Sequence, residues 1–204
     1  MLLNKHNLQI AELAPNKESR YTLRAILVTP KWTVTTNGCY LVAVTLPEQV
    51  DSNFPAIEGF TAVNGAGKQF LLDGTTALDV MKALPKKNTI PVLLHAAVGV
   101  ETETSLSLAV TDLDSPKLFA PRKVVGQFPA VEAVIPKDEA ATVTIGLDAE
   151  YLKKLADSAL KTCKGDRGRG VMITLRVKDA NSAVKMTARN ADTGQEWMAV
   201  LIAK

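Results

Sequence analysis

The stretch WTVTTNGCYLVAV, residues 32–44, has the pattern of a β-hairpin. Two runs rich in β-branched and aromatic residues flank an Asn-Gly pair, which favours a tight turn because both residues tolerate positive φ. A similar pattern, with turn-forming residues between two strand-like runs, recurs in SLSLAVTDLDSPKLF (105–119) and in VKMTARNADTGQEWMAVLI (184–202). Three hairpins at similar spacing indicate a repeated architecture.

The composition indicates a globular protein. The chain has 204 residues, of which 47% are hydrophobic, enough for one large domain or two small ones. A net charge of +3 permits a polyanionic partner without requiring one. The two cysteines, Cys39 and Cys163, are expected to be small core residues. No window approaches 18 uninterrupted apolar residues and the N-terminus lacks a signal-peptide pattern, so we expect a cytoplasmic protein without a membrane span.

Two helices are predicted within a chain that is otherwise mostly strand. The first is capped by Asp73 or Thr75 and ends at Pro85; the second is capped by Asp148 and carries an apolar stripe from Leu152 to Cys163. A shorter helical segment, NLQIAELA, is stopped by Pro15. Strands are predicted at 21–28, 32–36, 39–46, 68–72, 89–98, 105–111, 117–125, 142–147, 171–177, 183–188 and 196–203.

The same order of elements returns at a nearly constant period. The polar residues that end the middle strands, Asn37, Asp112 and Asn190, are 75 and 78 residues apart, and the helix starts at Gly74 and Asp148 are 74 apart. We predict a duplicated βαβββ half-unit; chance similarity among short strands is the competing interpretation. Counting back places the first helix before residue 1, so residues 1–135 are expected to form a domain whose first half-unit is truncated, and residues 136–204 a second domain.

Several stretches resemble the bacterial sliding clamp, the beta subunit of DNA polymerase III. Residues 33–44 are similar to that family's Thr-Asp-Gly-His-Arg-Leu-Ala hairpin, although Cys39-Tyr40 replaces His-Arg. Phe128-Pro129 and Ile135-Pro136 are similar to the Phe-Pro and Leu-Pro or Ile-Pro pairs near the end of its second domain. Residues 144–161 and 184–202 resemble the start of its third domain. The resemblance runs from about Tyr21 to the end and implies an α+β, DNA-clamp-like fold of antiparallel sheets backed by helices.

The resemblance also implies a function. A sliding clamp is a non-enzymatic processivity or accessory factor that holds double-stranded DNA weakly and without sequence specificity, binds replication or repair proteins, and forms oligomers. The DNA-binding candidates are basic residues of the two helices and of the loop after the second: Lys82, Lys86, Lys87, Lys153, Lys154, Lys161, Lys164, Arg167 and Arg169. The partner-binding candidates are Phe128, Val131 and Val134.

Each of these assignments has an alternative. Lysines on an amphipathic helix are ordinarily just its solvated face, and the three apolar residues would also serve to seal a domain junction. The chain would then be a protein-interaction module that has the clamp fold without a ring around DNA. Duplex affinity that falls steeply with salt distinguishes the two functions, because only the first predicts it.

Catalytic motifs are incomplete. NGAGK (64–68) resembles a phosphate-binding loop, but Ala62 stands where that motif has its first glycine and Gln69 where it has Ser or Thr. His6 and His95 are far apart and not near a cysteine, which argues against zinc. Asp112 and Asp114 lack a third ligand at calcium-loop spacing. We therefore predict no enzymatic activity, no metal and no cofactor.

Overall fold

The computed structural model describes residues 1–15, 21–48, 53–62, 69–99, 105–135, 142–163, 170–191 and 193–202; the NGAGK segment lies outside these ranges. The chain divides into two compact units, unit 1 (Met1–Ala130) and unit 2 (Val131–Lys204).

Unit 1 contains two half-units in which a strand and a helix are followed by three strands. The first consists of β1 (Leu2–Asn4), α1 (Lys5–Gln9), β2 (Ala25–Val28), β3 (Trp32–Thr36) and β4 (Leu41–Thr45). The second consists of β5 (Phe70–Asp73), α2 (Gly74–Ala83), β6 (His95–Val98), β7 (Leu108–Val110) and β8 (Lys117–Phe119). The predicted βαβββ order is present in both copies.

The helix of the first half-unit lies within the chain, so the prediction that this helix lies before residue 1 is wrong. Helix α1 begins at Lys5 and continues as a 3-10 turn, Ile10–Leu13. The interval from Lys5 to Gly74 is shorter than the period used for counting back, because the connections between elements differ in length between copies. Further 3-10 turns, Tyr21–Arg24 and Pro91–Leu94, lie directly before β2 and β6 and extend the correspondence.

The two half-units exchange their first strands. One antiparallel sheet has the order β4-β3-β2-β5 and the other β1-β6-β7-β8. Strand β5 therefore lies beside β2 of the first half-unit, with Ile26 opposite Leu72, and β1 lies beside β6 of the second, with Leu3 opposite Ala96. Neither four-stranded sheet exists without a strand from the other half-unit.

One core joins both half-units. Helices α1 and α2 pack against each other, and their buried side chains, including Leu8, Ala77 and Val80, belong to one apolar cluster with residues of both sheets such as Ile26 and Leu108. Burial of this apolar area is the main stabilising term for unit 1.

Unit 2 has one helix on one sheet. It contains the short helix α3 (Val131–Val134), then α4 (Ala149–Cys163), β9 (Thr174–Arg176), β10 (Val184–Arg189) and β11 (Glu196–Leu201). The sheet is antiparallel with the order β11-β10-β9. Its core is formed by Ala159, Cys163, Val184, Met186, Ala188, Trp197 and Leu201. The strand predicted at 142–147 is wrong, because these residues form no strand in the structure.

The same polar caps recur in all three copies. The side-chain oxygens of the helix caps accept from the backbone N–H three residues later: Asn4 from Asn7 at 3.0 Å, Asp73 from Thr76 at 3.1 Å and Asp148 from Tyr151 at 3.3 Å. The residues that end the middle strands do the same: Asn37 with Tyr40 at 3.1 Å, Asp112 with Ser115 at 2.8 Å and Asn190 with Thr193 at 3.1 Å. Matching hydrogen bonds at matching places support duplication.

The turn after β3 differs from the one predicted. Four residues, Asn37 to Tyr40, separate the strands, and only Gly38 among them has a positive φ, of 89°. The loop is held by Asn37 Oδ1 instead of a two-residue primed turn. Cys39 is exposed in this loop, so the expectation that both cysteines are core residues holds for Cys163 only.

Candidate nucleic-acid surface and partner cavity

Helices α1 and α2 pack against each other, and each has an exposed side. We call the exposed polar residues of α1, of the 3-10 turn Ile10–Leu13 and of α2 the helix surface of unit 1: Lys5, His6, Gln9, Glu12, Thr75, Asp79 and Lys82. Lys86 and Lys87 follow α2 and are also exposed. The four lysines of this region outnumber its two acids, Glu12 and Asp79. The region is therefore positively charged and attracts phosphate.

The three unit 1 residues predicted to bind DNA are all accessible. Lys82 lies on the outer face of α2, with its Nζ 3.2 Å from Asp79 Oδ1. Such an exposed pair contributes little and exchanges readily for another anion. Lys5 was missed because the repeat count assigned no helix to the first residues. The sequence feature that indicates a helix starting at Lys5 is Asn4, a favoured N-cap residue directly before it.

Helix α4 carries the remaining described candidates. Lys153, Lys154 and Lys161 are exposed, together with the acids Glu150 and Asp157. Lys154 Nζ lies 5.6 Å from the centroid of the Tyr151 ring. The other three predicted residues, Lys164, Arg167 and Arg169, lie outside the described residues.

A cavity of about 700 Å³ lies in unit 1 beside Phe128. Its floor is the β2–β5 pair, where Leu27 stands opposite Leu71 on the sheet face turned away from the main core. The remaining wall is chain 123–130, in which Val125 is exposed and Phe128 is half-buried. A smaller cavity of about 340 Å³ shares Phe128 with Thr22 and Leu23. Gln69, Lys123 and Gln127 also line the larger cavity, and its apolar part suits an apolar side chain of a ligand.

The three predicted partner residues are not brought together at this cavity. Phe128 lines it, whereas Val131 is a buried residue at the start of α3 and is not among the lining residues. The side chain of Val134 lies outside the described part of the chain. Sequence reasoning missed Leu27 and Leu71, because nothing along the chain connects those strands with residues 123–130.

The buried histidine has a hydrogen-bond partner within its own backbone segment. His95 is buried, and its Nδ1 is 3.0 Å from the carbonyl oxygen of Pro91. Within the described ranges, no three His, Cys, Asp or Glu side chains form a group that would hold a metal ion. Among the same residues, no helix is both long enough and apolar enough to cross a membrane.

Solved structures share this arrangement of sheets and helices. DNA polymerase III subunit beta from Borrelia burgdorferi matches with a TM-score of 0.65 at 12% identity, over 100% of this chain and 48% of that one. A putative DNA polymerase III beta subunit from Eubacterium rectale matches with a TM-score of 0.64 at 9% identity, over 100% and 50%. PCNA from Thermococcus kodakaraensis matches with a TM-score of 0.55 at 14% identity, over 99% and 72%.

The similarity of this chain to known proteins is found by comparison of structures. No protein-family profile matches the sequence, and no curated protein matches it. The chain spans about half the length of the two beta subunits. With two interlocked half-units, a third half-unit and these structural neighbours, the chain has the sliding-clamp fold, an α+β fold of antiparallel sheets backed by helices.

Proposed function

We propose that this protein is a non-enzymatic, clamp-like accessory factor that binds double-stranded DNA weakly and without sequence specificity. The observation that carries the proposal is the helix surface of unit 1, where two adjoining helices expose lysines on a fold shared with DNA polymerase III beta subunits. Lysines on long flexible side chains contact phosphates as point charges and do not read bases. Such contacts allow a protein to move along a duplex.

Helix α4 supplies a second basic surface in this proposal. Its three exposed lysines are offset by two acids, so its contribution is smaller than that of unit 1. Both surfaces present lysines from helix faces that are not buried in a core. The proposal therefore predicts that DNA contact depends on the helices and not on the sheets.

A salt titration with matched charge variants tests the proposal. Binding of a fluorescent duplex is measured by anisotropy at several KCl concentrations for the wild type and for a variant with Lys5, Lys82, Lys86 and Lys87 changed to Gln. We expect the variant to bind about tenfold more weakly at low salt, and its log–log salt slope to fall by about 0.9 for each phosphate that the protein no longer neutralises. A second variant, with Lys153, Lys154 and Lys161 changed to Gln, measures how much α4 contributes to duplex binding.

The control removes equal charge elsewhere. Lys31, Lys117, Lys178 and Lys185 are exposed residues on strands and loops, and their replacement by Gln changes the net charge as much as the unit 1 variant does. Equal weakening by both sets would show that only net charge matters and would contradict a helix-borne site. An absence of duplex binding by the wild type at low salt would favour the protein-interaction module.

We also assign partner binding to the cavity beside Phe128. The ligand class is a short peptide of a replication or repair protein that inserts an apolar side chain over Leu27 and Leu71. The cavity volume of about 700 Å³ is within the usual range for small-ligand sites and accommodates one or two such side chains.

A peptide panel tests this assignment. Labelled hexapeptides carrying two Leu or Phe residues are titrated with the wild type, with Phe128→Ala and with Leu118→Ala, the last an exposed residue of β8 outside the cavity lining. We expect Phe128→Ala to weaken binding about tenfold, because it removes a large apolar surface from the site, while Leu118→Ala has no effect. Affinity that is unchanged in Phe128→Ala would refute the site.

A further inference from the structure

The turn between β7 and β8 holds a leucine in a conformation that leucine rarely adopts. Leu113 has a φ of 84°, and among the residues that the structure describes it is the only one other than glycine with a positive φ. This left-handed region is disfavoured for L-residues, because their Cβ comes too close to the following carbonyl oxygen. The backbone of the turn is therefore strained at Leu113.

The first half-unit has the same turn without the strain. Gly38 and Leu113 each follow the polar residue that ends the middle strand, and Gly38 has a φ of 89°. The backbone N–H of Gly38 donates to Thr36 Oγ1 at 3.1 Å, and that of Leu113 donates to Thr111 Oγ1 at 2.9 Å. Because glycine has no Cβ, it adopts this conformation freely. The leucine side chain is thus an addition to a turn that glycine would form more easily.

The leucine side chain is presented to solvent between two acids. Leu113 is 55% exposed, and the neighbouring Asp112 and Asp114 are exposed as well. We call these three residues the leucine turn. Strain and the exposure of an apolar side chain both disfavour this arrangement in an isolated copy. Insertion into an apolar pocket with hydrogen-bond donors at its rim would offset these costs, because it buries the leucine and pairs the carboxylates.

The cavity beside Phe128 has the complementary features. Its floor is formed by Leu27 and Leu71, and its volume of about 700 Å³ accommodates a leucine side chain. Three polar side chains with hydrogen-bond donors also line it: Gln69, Lys123 and Gln127. Leu113 is not among the lining residues, so the leucine turn does not fill the cavity of its own copy.

We propose that the leucine turn of one copy of this chain docks in the cavity beside Phe128 of a second copy. Leu113 lies over Leu27 and Leu71, and the two carboxylates of the turn pair with the donors at the rim, of which the Lys123 ammonium forms the strongest hydrogen bonds. The contact joins two different surfaces and is therefore heterologous. After one contact, one copy keeps a free cavity and the other a free turn, to which further copies add.

A second copy is favoured as the occupant because both complementary surfaces belong to the same chain. An apolar side chain between two acids meets an apolar floor with donors at its rim, and no further component is required. Docking rests on the cavity being open to a protein side chain, as the proposed partner binding does, but it requires neither duplex DNA nor a replication protein. A docked copy also excludes a peptide from the cavity, so the two kinds of binding should compete.

Solution mass is the first test. The wild type is examined by sedimentation and light scattering at about 100 µM and at lower concentrations, where mass action favours dissociation. We expect masses above that of the monomer at the highest concentration, whereas Leu113→Gly should be monomeric throughout. A monomeric wild type, or a Leu113→Gly variant that still associates, would overturn the proposal. If that monomeric wild type bound the labelled hexapeptides, partner binding at the cavity would stand without docking between copies.

Thermal unfolding separates docking from damage to the fold. At concentrations where both proteins are monomeric, Leu113→Gly should raise Tm by about 3 °C, because glycine relieves the strain in the turn. The same substitution is thus expected to stabilise the single copy and to abolish association. A lowered Tm would show that the leucine stabilises its own copy, and it would remove the reason for assigning the side chain to a second one.

Charge variants test whether the cavity is the docking site. Val125→Asp adds an acid at a cavity-lining position that is 68% exposed, so it should repel the carboxylates of the leucine turn and abolish association. Leu118→Asp is the matched control, because Leu118 is 51% exposed outside the cavity lining, and this variant should associate like the wild type. Equal effects of the two substitutions would contradict docking in the cavity.

Mixing two defective variants tests the heterologous geometry. Leu113→Gly retains the cavity and Val125→Asp retains the leucine turn, so each should be monomeric alone. Mixed in equal amounts, they have one intact pair of surfaces and should form a complex of two chains and no larger species. A mixture that remains monomeric would refute the proposal.

Discussion

Replacing Asn7 with alanine is expected to lower the free energy of unfolding of unit 1 by about 3 kcal/mol. Asn7 is fully buried on α1, and its Nδ2 donates to Thr45 O at 2.9 Å, Thr33 Oγ1 at 3.2 Å and Val44 O at 3.3 Å. Its Oδ1 accepts from the backbone N–H of Asn4 at 3.1 Å. Alanine would remove these hydrogen bonds and open a small cavity, although Thr33 Oγ1 would still donate to Val44 O at 3.4 Å.

The measurement must separate the two units. The chain has two tryptophans, Trp32 in unit 1 and Trp197 in unit 2. Urea unfolding followed by fluorescence in a Trp197→Phe background therefore reports on unit 1. Asn7→Asp keeps the oxygen that accepts from Asn4 but loses the amide donor, so it should destabilise at least as much as Asn7→Ala. An Asn7→Asp variant with wild-type stability would show that the hydrogen bonds to β3 and β4 contribute nothing.

The position of Asn7 shows what the sequence did not reveal about the fold. The repeat was readable from polar residues at strand ends and helix starts, because turns and caps restrict which residues fit. Asn7 stands inside a short helical segment and bonds to residues 26 to 38 positions away. Neither its burial nor its partners on β3 and β4 have a local signature, so the sequence predicts the helical segment NLQIAELA but does not assign it to the first half-unit.

The sequence predicts the exposed lysines of the candidate DNA-binding surface better than it predicts the cavity. Exposed lysines follow from amphipathic periodicity, which identified Lys82, Lys153, Lys154 and Lys161 as outward-facing residues. The cavity was predictable only at Phe128, because its other walls come from β2 and β5. The strand expected at 142–147 failed for a related reason. Its apolar residues have strand character, but a strand forms only where a sheet edge receives it.

The second large effect is expected at Gly74, the first residue of α2. Alanine is favoured over glycine in a helix by up to about 1 kcal/mol, so a local argument predicts stabilisation. A Cβ at this position, however, would lie 2.5 Å from the carbonyl oxygen of Arg24, which is backbone and cannot rotate away. Because overpacking against backbone costs more than helix propensity returns, we expect Gly74→Ala to destabilise unit 1 by about 2 kcal/mol.

The contact at Gly74 joins the two half-units, since Arg24 ends the 3-10 turn before β2 and Gly74 begins the helix of the second copy. Thr75→Ala, on the neighbouring exposed residue of α2, is the control and should change stability by no more than about 0.5 kcal/mol. Unfolding is followed through Trp32, as for Asn7. A Gly74→Ala variant more stable than the wild type would mean that α2 shifts freely against β2. The helix surface that carries Lys5 and Lys82 would then lack the fixed geometry on which its proposed role in DNA binding depends.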